Sequence, residues 1–156
     1  MNADPRNTAV TAETVVRRLY GEVWNNHRDD IVNELFDPEF RTPAAPGMTG
    51  GAAKLAVIRS YRNAFPDVHI TVDDLIVTPD RVAARWTLNG TDTGGFHGRP
   101  PTGRTITGWG SEHFGFRGGR VLTNWIGADW LGVLIQLGIL ADPWPSLAAE
   151  PHRLER

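Results

Sequence analysis

Two periods divide the chain. From Thr11 to Phe65 apolar residues recur every three or four positions, and from Val68 to Asp129 they alternate with polar ones. Val15, Val16, Leu19, Tyr20, Val23 and Trp24 share one helical face. Thr11 can cap that helix, with Glu13 and Thr14 in its first turn, and Asn25-Asn26-His27 ends it. A short second helix is predicted from Asp30 to Phe36, stopped by Asp37-Pro38, then a short strand from Glu39 to Thr42 and a loop to Gly51. The third helix runs from Ala52 to Phe65, with Leu55, Ile58, Tyr61, Arg62 and Phe65 along one side.

The strands follow. Val68 to Val77 is the first, closed by the turn Thr78-Pro79-Asp80. Val82, Ala84, Trp86 and Leu88 alternate with Ala83, Arg85, Thr87 and Asn89 in the second. A Gly/Pro loop spans 92–103. Arg104 to Arg117 and Arg120 to Asp129 are joined by Gly118-Gly119, a pair suited to a two-residue turn with positive φ at both positions. A last helix is expected from about Leu131 to Leu137, stopped by Gly138, while residues 1–10 read as a loose N-terminus and 141–156 as a tail. Helices first and antiparallel strands after them predict one α+β domain over 1–156, its helices packed on the concave side of a curved, cone-shaped sheet.

Composition narrows the chemistry. In 156 residues there is no cysteine, which excludes a disulfide framework, a thiolate metal site and a thiol nucleophile. A formal charge of −2 and the lack of a basic stripe argue against a nucleic-acid partner. No secretory h-region and no apolar run of membrane-spanning length is present, so a soluble, cytoplasmic protein is expected. Gly94-Gly95-Phe96-His97-Gly98 is glycine-rich but opens no helix, and so lacks the form of a phosphate cradle. Lysine occurs once, at Lys54.

The last hairpin carries the candidate chemistry. A regular ladder from Gly118-Gly119 sets Phe114 opposite Thr123, Glu112 opposite Trp125, Gly110 opposite Gly127 and Gly108 opposite Asp129, all on one face. That face holds two carboxylates, an indole and three glycines, and the glycines suggest space cleared for a ligand. The other face holds Trp109, Ser111, His113, Asn124 and Ile126. Either face can be the inner one, and a single bulge would bring His113 to Asp129. Asp129 at the strand end is a candidate general acid/base, or simply the N-cap of the next helix. If Glu112 and Asp129 are both interior, repulsion and desolvation raise at least one pKa, so that one acid can donate while the other accepts.

Several runs carry a family resemblance: Asn63-Ala64-Phe65-Pro66-Asp67, Asp80-Arg81-Val82-Ala83-Ala84-Arg85-Trp86, Gly90-Thr91-x-Thr93-Gly94, Pro101-Thr102-Gly103-Arg104, Gly119-Arg120-Val121, Trp125-x-x-x-Asp129 and Gln136-Leu137-Gly138. With Tyr20-x-x-x-Trp24-Asn25 they resemble SnoaL-like polyketide cyclases of the nuclear-transport-factor-like superfamily, over roughly residues 12 to 140. The resemblance implies a cofactor-free, metal-free pocket in a cone-shaped α+β barrel, a homodimer joined through the outer sheet face, and an aldol ring closure with an aspartate, matched by Asp129, as acid/base. Relatives of this kind also hydroxylate aromatic polyketides, hydrate or open epoxides, or only bind ligands. Two positions depart from the common pattern: Arg41-Thr42-Pro43 stands where a histidine is frequent, and Asn124 replaces the histidine before the final tryptophan.

The expected protein is therefore an enzyme of secondary metabolism acting on a hydrophobic or aromatic small molecule. Asp129, Glu112 and His113 are its candidate catalytic groups. Tyr20, Trp86, Trp109, Phe114, Asn124 and Trp125 are its candidate substrate contacts. Water addition or hydroxylation in the same pocket, and a non-catalytic binding module, stand as alternatives.

Overall fold

The computed structural model describes the backbone of residues 5–143 and side chains from Ala12 onward. Helix α1 spans Pro5–Arg18, so it begins inside the segment read as a loose N-terminus. Proline suits a first helical turn, where its missing N–H has no partner to lose. The coil then widens into a π-helical turn, Leu19–Asn25. Ala12, Val15, Val16, Leu19, Tyr20, Val23 and Trp24 form its buried face. Asn25 fastens the end of this segment to the sheet: its Nδ2 donates to the Ile70 carbonyl at 2.8 Å, and its Oδ1 accepts from the Ile70 N–H at 2.8 Å.

A 3-10 turn at Asp29–Ile31 leads into the single-turn helix α2, Val32–Leu35. No strand forms over Glu39 to Thr42. The extended residue is Phe36, which bridges Val121 in parallel. The chain then turns because the Asp37 carboxylate accepts from the Glu39 N–H at 2.9 Å and pairs with Arg117. Helix α3, Gly50–Ala64, starts two residues before the expected Ala52. Gly50 has φ of +64°, and a Cβ on Gly51 would lie 3.0 Å from the Asn33 backbone, so these glycines let α3 abut α2.

Strands β1 (His69–Val77), β2 (Arg81–Thr91), β3 (Thr105–Arg117) and β4 (Arg120–Ala128) form an open antiparallel sheet in the order β1-β2-β3-β4. Gly118 and Gly119 have φ of +57° and +78°, the positive pair a tight right-twisted hairpin requires. One face carries Ile70, Val82, Ala84, Trp86, Leu88, Ile106, Phe114 and Val121 against the helices. Each such burial contributes roughly 1.5–3 kcal/mol for the larger side chains. Helix α4, Trp130–Gln136, closes the described chain, with Gly138 at φ +73° ending it. The 144–156 part of the expected tail lies outside the described residues. The architecture is α+β, with helices on one face of an open, cone-like sheet. Among the described residues no helix is long and apolar enough to cross a membrane.

Register in the last hairpin differs from the regular ladder. Arg117 faces Arg120 and Phe116 faces Val121, but Gly115 then faces Thr123. Leu122 is the extra residue of a bulge, and every later pair moves by one: Phe114 with Asn124, His113 with Trp125, Glu112 with Ile126. The Glu112 face is the inner one. The bulge brings Asn124 to that face and turns Trp125 outward.

Candidate active site

The π turn, α3 and the inner sheet face enclose a cavity of about 220 Å³. Its walls are largely apolar, with Trp24, Val57, Ile70, Trp86 and Leu88 among them. Toward the open end Tyr61 stacks on Trp130, ring centroids 5.5 Å apart at 19°, and Phe96 lies 6.0 Å from Tyr61.

The buried end is polar. Lys54 Nζ donates to Glu112 Oε1 at 2.6 Å and to Asn124 Oδ1 at 3.2 Å, and the Tyr20 hydroxyl donates to Glu112 Oε2. Tyr20, Lys54 and Glu112 are 2%, 5% and 2% exposed, so their charges and dipoles act with little water between them. Each arrives by a simple route. Tyr20 belongs to the π turn, whose wider coil departs from the α-helical side-chain directions. Lys54 lies one helical turn before Ile58 on the buried stripe of α3. Glu112 faces inward by alternation with Gly110 and Phe114, and Asn124 by the bulge.

Burial, followed by the charge of Glu112 and the hydrogen bond to it, pushes the Tyr20 phenol well above its ordinary range. Burial raises Tyr61 as well. Tyr20 therefore remains a proton donor at neutral pH. Since Asn124 Oδ1 accepts from Lys54, the amide is oriented with Nδ2 free, and that nitrogen has no protein partner. Trp24 and Trp86 Nε1 are likewise buried without partners. Three residues of the cavity lining thus each carry a buried nitrogen donor without a protein partner.

Of the residues expected at the site, Glu112, Tyr20, Trp86 and Asn124 line this cavity. Phe114 sits behind it, edge-on to Tyr20 at 6.3 Å. His113, Trp109 and Trp125 do not meet the others. All three project from the outer face, where Trp109 is 61% and Trp125 66% exposed and His113 packs edge-on to Trp125 at 5.6 Å. Asp129 is also outside the cavity lining. Its Oδ1 accepts from the Gly132 N–H at 2.9 Å, capping α4. The bulge shifts Asp129 into register with Trp109, on the His113 side of β3, but Asp129 lies just past the end of β4, its N–H bonded to the Trp109 carbonyl four residues from His113, so the two side chains do not meet.

The glycines do not clear space for a ligand either. A Cβ on Gly110 would fall 2.4 Å from the Trp86 ring, and one on Gly108 would fall 3.2 Å from Val133. Both vacancies are filled by the protein's own core. Lys54 is the site residue that hydrophobic periodicity missed. Its signal was its position beside Leu55 and Ile58, as the one lysine in a chain otherwise using arginine. Among the described residues no three His, Asp or Glu side chains gather as a metal-holding group.

A family model for SnoaL-like polyketide cyclases matches residues 14–137. The chain belongs to that family. Aklanonic acid methyl ester cyclase DauD from Streptomyces sp. (strain C5) is 28% identical over 137 residues, covering 85% of this chain and 83% of its own. Among solved structures, TsrD from Streptomyces laurentii superposes with a TM-score of 0.78 at 26% identity, covering 89% of this chain and all (100%) of its own. Wild-type IdmH from Streptomyces antibioticus gives 0.68 at 29% identity, covering 81% and 98%.

Within this SnoaL-like frame the two departures from the common pattern acquire positions. Asn124 stands at the buried end of the cavity, hydrogen-bonded to Lys54, and Thr42 of Arg41-Thr42-Pro43 contributes to the cavity lining. Among the lining residues Glu112 and Lys54 are the groups bearing a formal charge.

Proposed function

We infer that this SnoaL-like protein closes a ring in a polyketide-like substrate by acid/base chemistry, with Glu112 as the proton carrier. The observation that carries the reading is the Glu112 carboxylate, held between the Tyr20 hydroxyl and the Lys54 ammonium at the buried end of an apolar cavity. The name of the Streptomyces sp. relative supports a polyketide ester as the substrate class. The carboxylate removes a proton from carbon next to a carbonyl, the resulting enolate carbon attacks a second carbonyl, and the proton returns to the new alkoxide oxygen. A positioned acid/base of this kind is worth ~10²–10⁴-fold in rate.

The test is turnover of aklanonic acid methyl ester by Glu112→Gln and by Asp129→Ala. A cyclised product of unchanged mass is expected, with turnover lowered about 10²–10⁴-fold in E112Q. D129A should stay near the wild-type rate and lose about 1 kcal/mol of stability with its helix cap. Full activity in E112Q together with loss in D129A would transfer the acid/base role to Asp129, and a product heavier by one oxygen would replace cyclisation with hydroxylation.

We also infer a homodimer through the outer sheet face. Register aligns Ile76, Ala83, His113 and Trp125 as a row across all four strands there, with Ile76 67% exposed. Sedimentation velocity at micromolar concentration tests it, and a monomer would refute it.

A further inference from the structure

We propose that Arg62 is the positioning residue for Tyr20: it holds the Val23 carbonyl, and with it the widened turn that aims the phenol at Glu112. The π-helix is rare and occurs mostly as single turns inside α-helices, frequently at functional sites. Here Leu19–Asn25 follows α1 as seven residues of this coil, and it carries both Tyr20 and Trp24 into the cavity lining. A coil that departs from the commoner α geometry has to be held from outside.

Three contacts hold its far end. Asn25 clasps the Ile70 backbone on β1 with two bonds of 2.8 Å. The Arg28 N–H, which a continuing π ladder would send to the Val23 carbonyl, donates instead to the Glu22 carbonyl at 2.9 Å. The Val23 carbonyl is thereby released from the ladder, and Arg62 Nη2 on α3 donates to it. Val23 is 0% exposed, and a buried carbonyl needs such a partner. The same guanidinium extends Nη1 to Asp29 Oδ1 at 2.6 Å, while Arg59 Nη2 takes Asp29 Oδ2 at 2.9 Å. The Arg62 side chain is 9% exposed, and its Nε is buried with no protein partner. An interior donor left unmade is costly. The guanidinium therefore sits where it spans carbonyl and carboxylate at once, not where all its donors are met.

Geometry turns this contact into a control on the site. Asn25 fixes the end of the turn to the sheet, so any tightening from π to α is taken up on the Tyr20 side. Removing one residue's slack from the coil rotates what precedes it by about 100°. The phenol would then leave Glu112 Oε2, and the carboxylate would lose one of the two partners that orient it. Tyr61, next to Arg62 on α3, lies 6.0 Å from Trp24, so the same joint sets the spacing of two cavity walls. The inference rests on the acid/base reading above for its effect on turnover, but not for its effect on Tyr20.

The test separates the two arms of the guanidinium. Arg62→Lys keeps the Asp29 ion pair and so the fold, but its one ammonium lacks the fork that reaches the Val23 carbonyl as well. Asp29→Asn does the converse and leaves the guanidinium on the carbonyl. Arg62→Gln, which loses both contacts, is a second variant read in the same way as R62K. Since the chain has two tyrosines, a Tyr61→Phe background lets Tyr20 be read alone. In Y61F the Tyr20 phenolate should appear in alkali only as the protein unfolds. In Y61F/R62K it should appear while circular dichroism still reports a folded protein, and Y61F/D29N should behave as Y61F. With aklanonic acid methyl ester as substrate, R62K should lose turnover about 10²-fold. That loss should vanish when Tyr20→Phe is already present, because both act through one hydrogen bond. A phenolate that still appears only on unfolding in Y61F/R62K would overturn the proposal. So would losses that multiply in R62K/Y20F, or a D29N variant that releases the phenol as R62K does. Release of the phenol by R62K, beside a wild-type protein that leaves the ester unchanged, supports the positioning role and rejects the ring-closure reading. Cyclisation by the wild type with an unmoved phenol in R62K does the reverse.

Discussion

At the scale of single residues the fold is committed to one buried ion pair. Removing either partner strands the other charge in an apolar cavity, whereas removing both does not. Lys54→Met should therefore cost about 3–5 kcal/mol, and K54M combined with Glu112→Leu should recover most of that loss. Denaturant unfolding of the two variants checks the prediction, and equal stability in both would refute it. Three of the four members of this cluster, Tyr20, Glu112 and Asn124, are named from the sequence as site residues. Tyr20 was legible from helical spacing and Glu112 from strand alternation, because each has one partner surface to face. Lys54 was not, since a cation on an apolar stripe reads as a long side chain that can snorkel to water, and only the carboxylate on a strand 58 residues later keeps it inside. Asp129 was legible as an acid at a strand end. Whether such an acid caps or catalyses depends on where α4 begins, and Trp130 starts that helix immediately after it.

At the scale of elements, the placement of side chains in the last hairpin turns on the bulge at Leu122. The two-glycine turn was evident from composition, but a bulge leaves no mark in a strand where Leu122, Thr123, Asn124 and Trp125 all tolerate either face. Inner-face packing does leave one. Gly110 admits the Trp86 ring against β3, so Gly110→Ala should force that ring aside. Overpacking of this kind costs about 1–3 kcal/mol. A lower melting temperature and altered tryptophan fluorescence are expected, and an unchanged melting temperature would show that the ring relaxes freely. The strand expected over Glu39 to Thr42 failed for a related reason: a local carboxylate bond at Asp37 turned the chain before it could extend.

On the scale of the whole molecule, the switch of period near Phe65 foretold the α+β division and the one-sided burial of the sheet. It could not foretell the polar end of the cavity, which assembles from four separate elements. Assembly of that kind has a signature in alkali. The chain has two tyrosines, and burial holds both phenols above their ordinary value of 10.0. Their contribution to stability is level below that value and is lost as pH climbs through it, because the unfolded chain releases these protons first. Ultraviolet titration should show the Tyr20 phenolate appearing only together with unfolding, and two phenolates titrating near pH 10.0 in the folded protein would contradict it. The lone lysine gives the molecule one further property. In the folded chain its amine is the one lysine target for acylating reagents, and it stands behind the aromatic residues at the cavity mouth. A reagent has to pass down the cavity to reach it, so the rate of acylation reports access to the buried end. A tight-binding occupant should slow acylation in proportion to its occupancy, and binding at the site becomes measurable without any turnover.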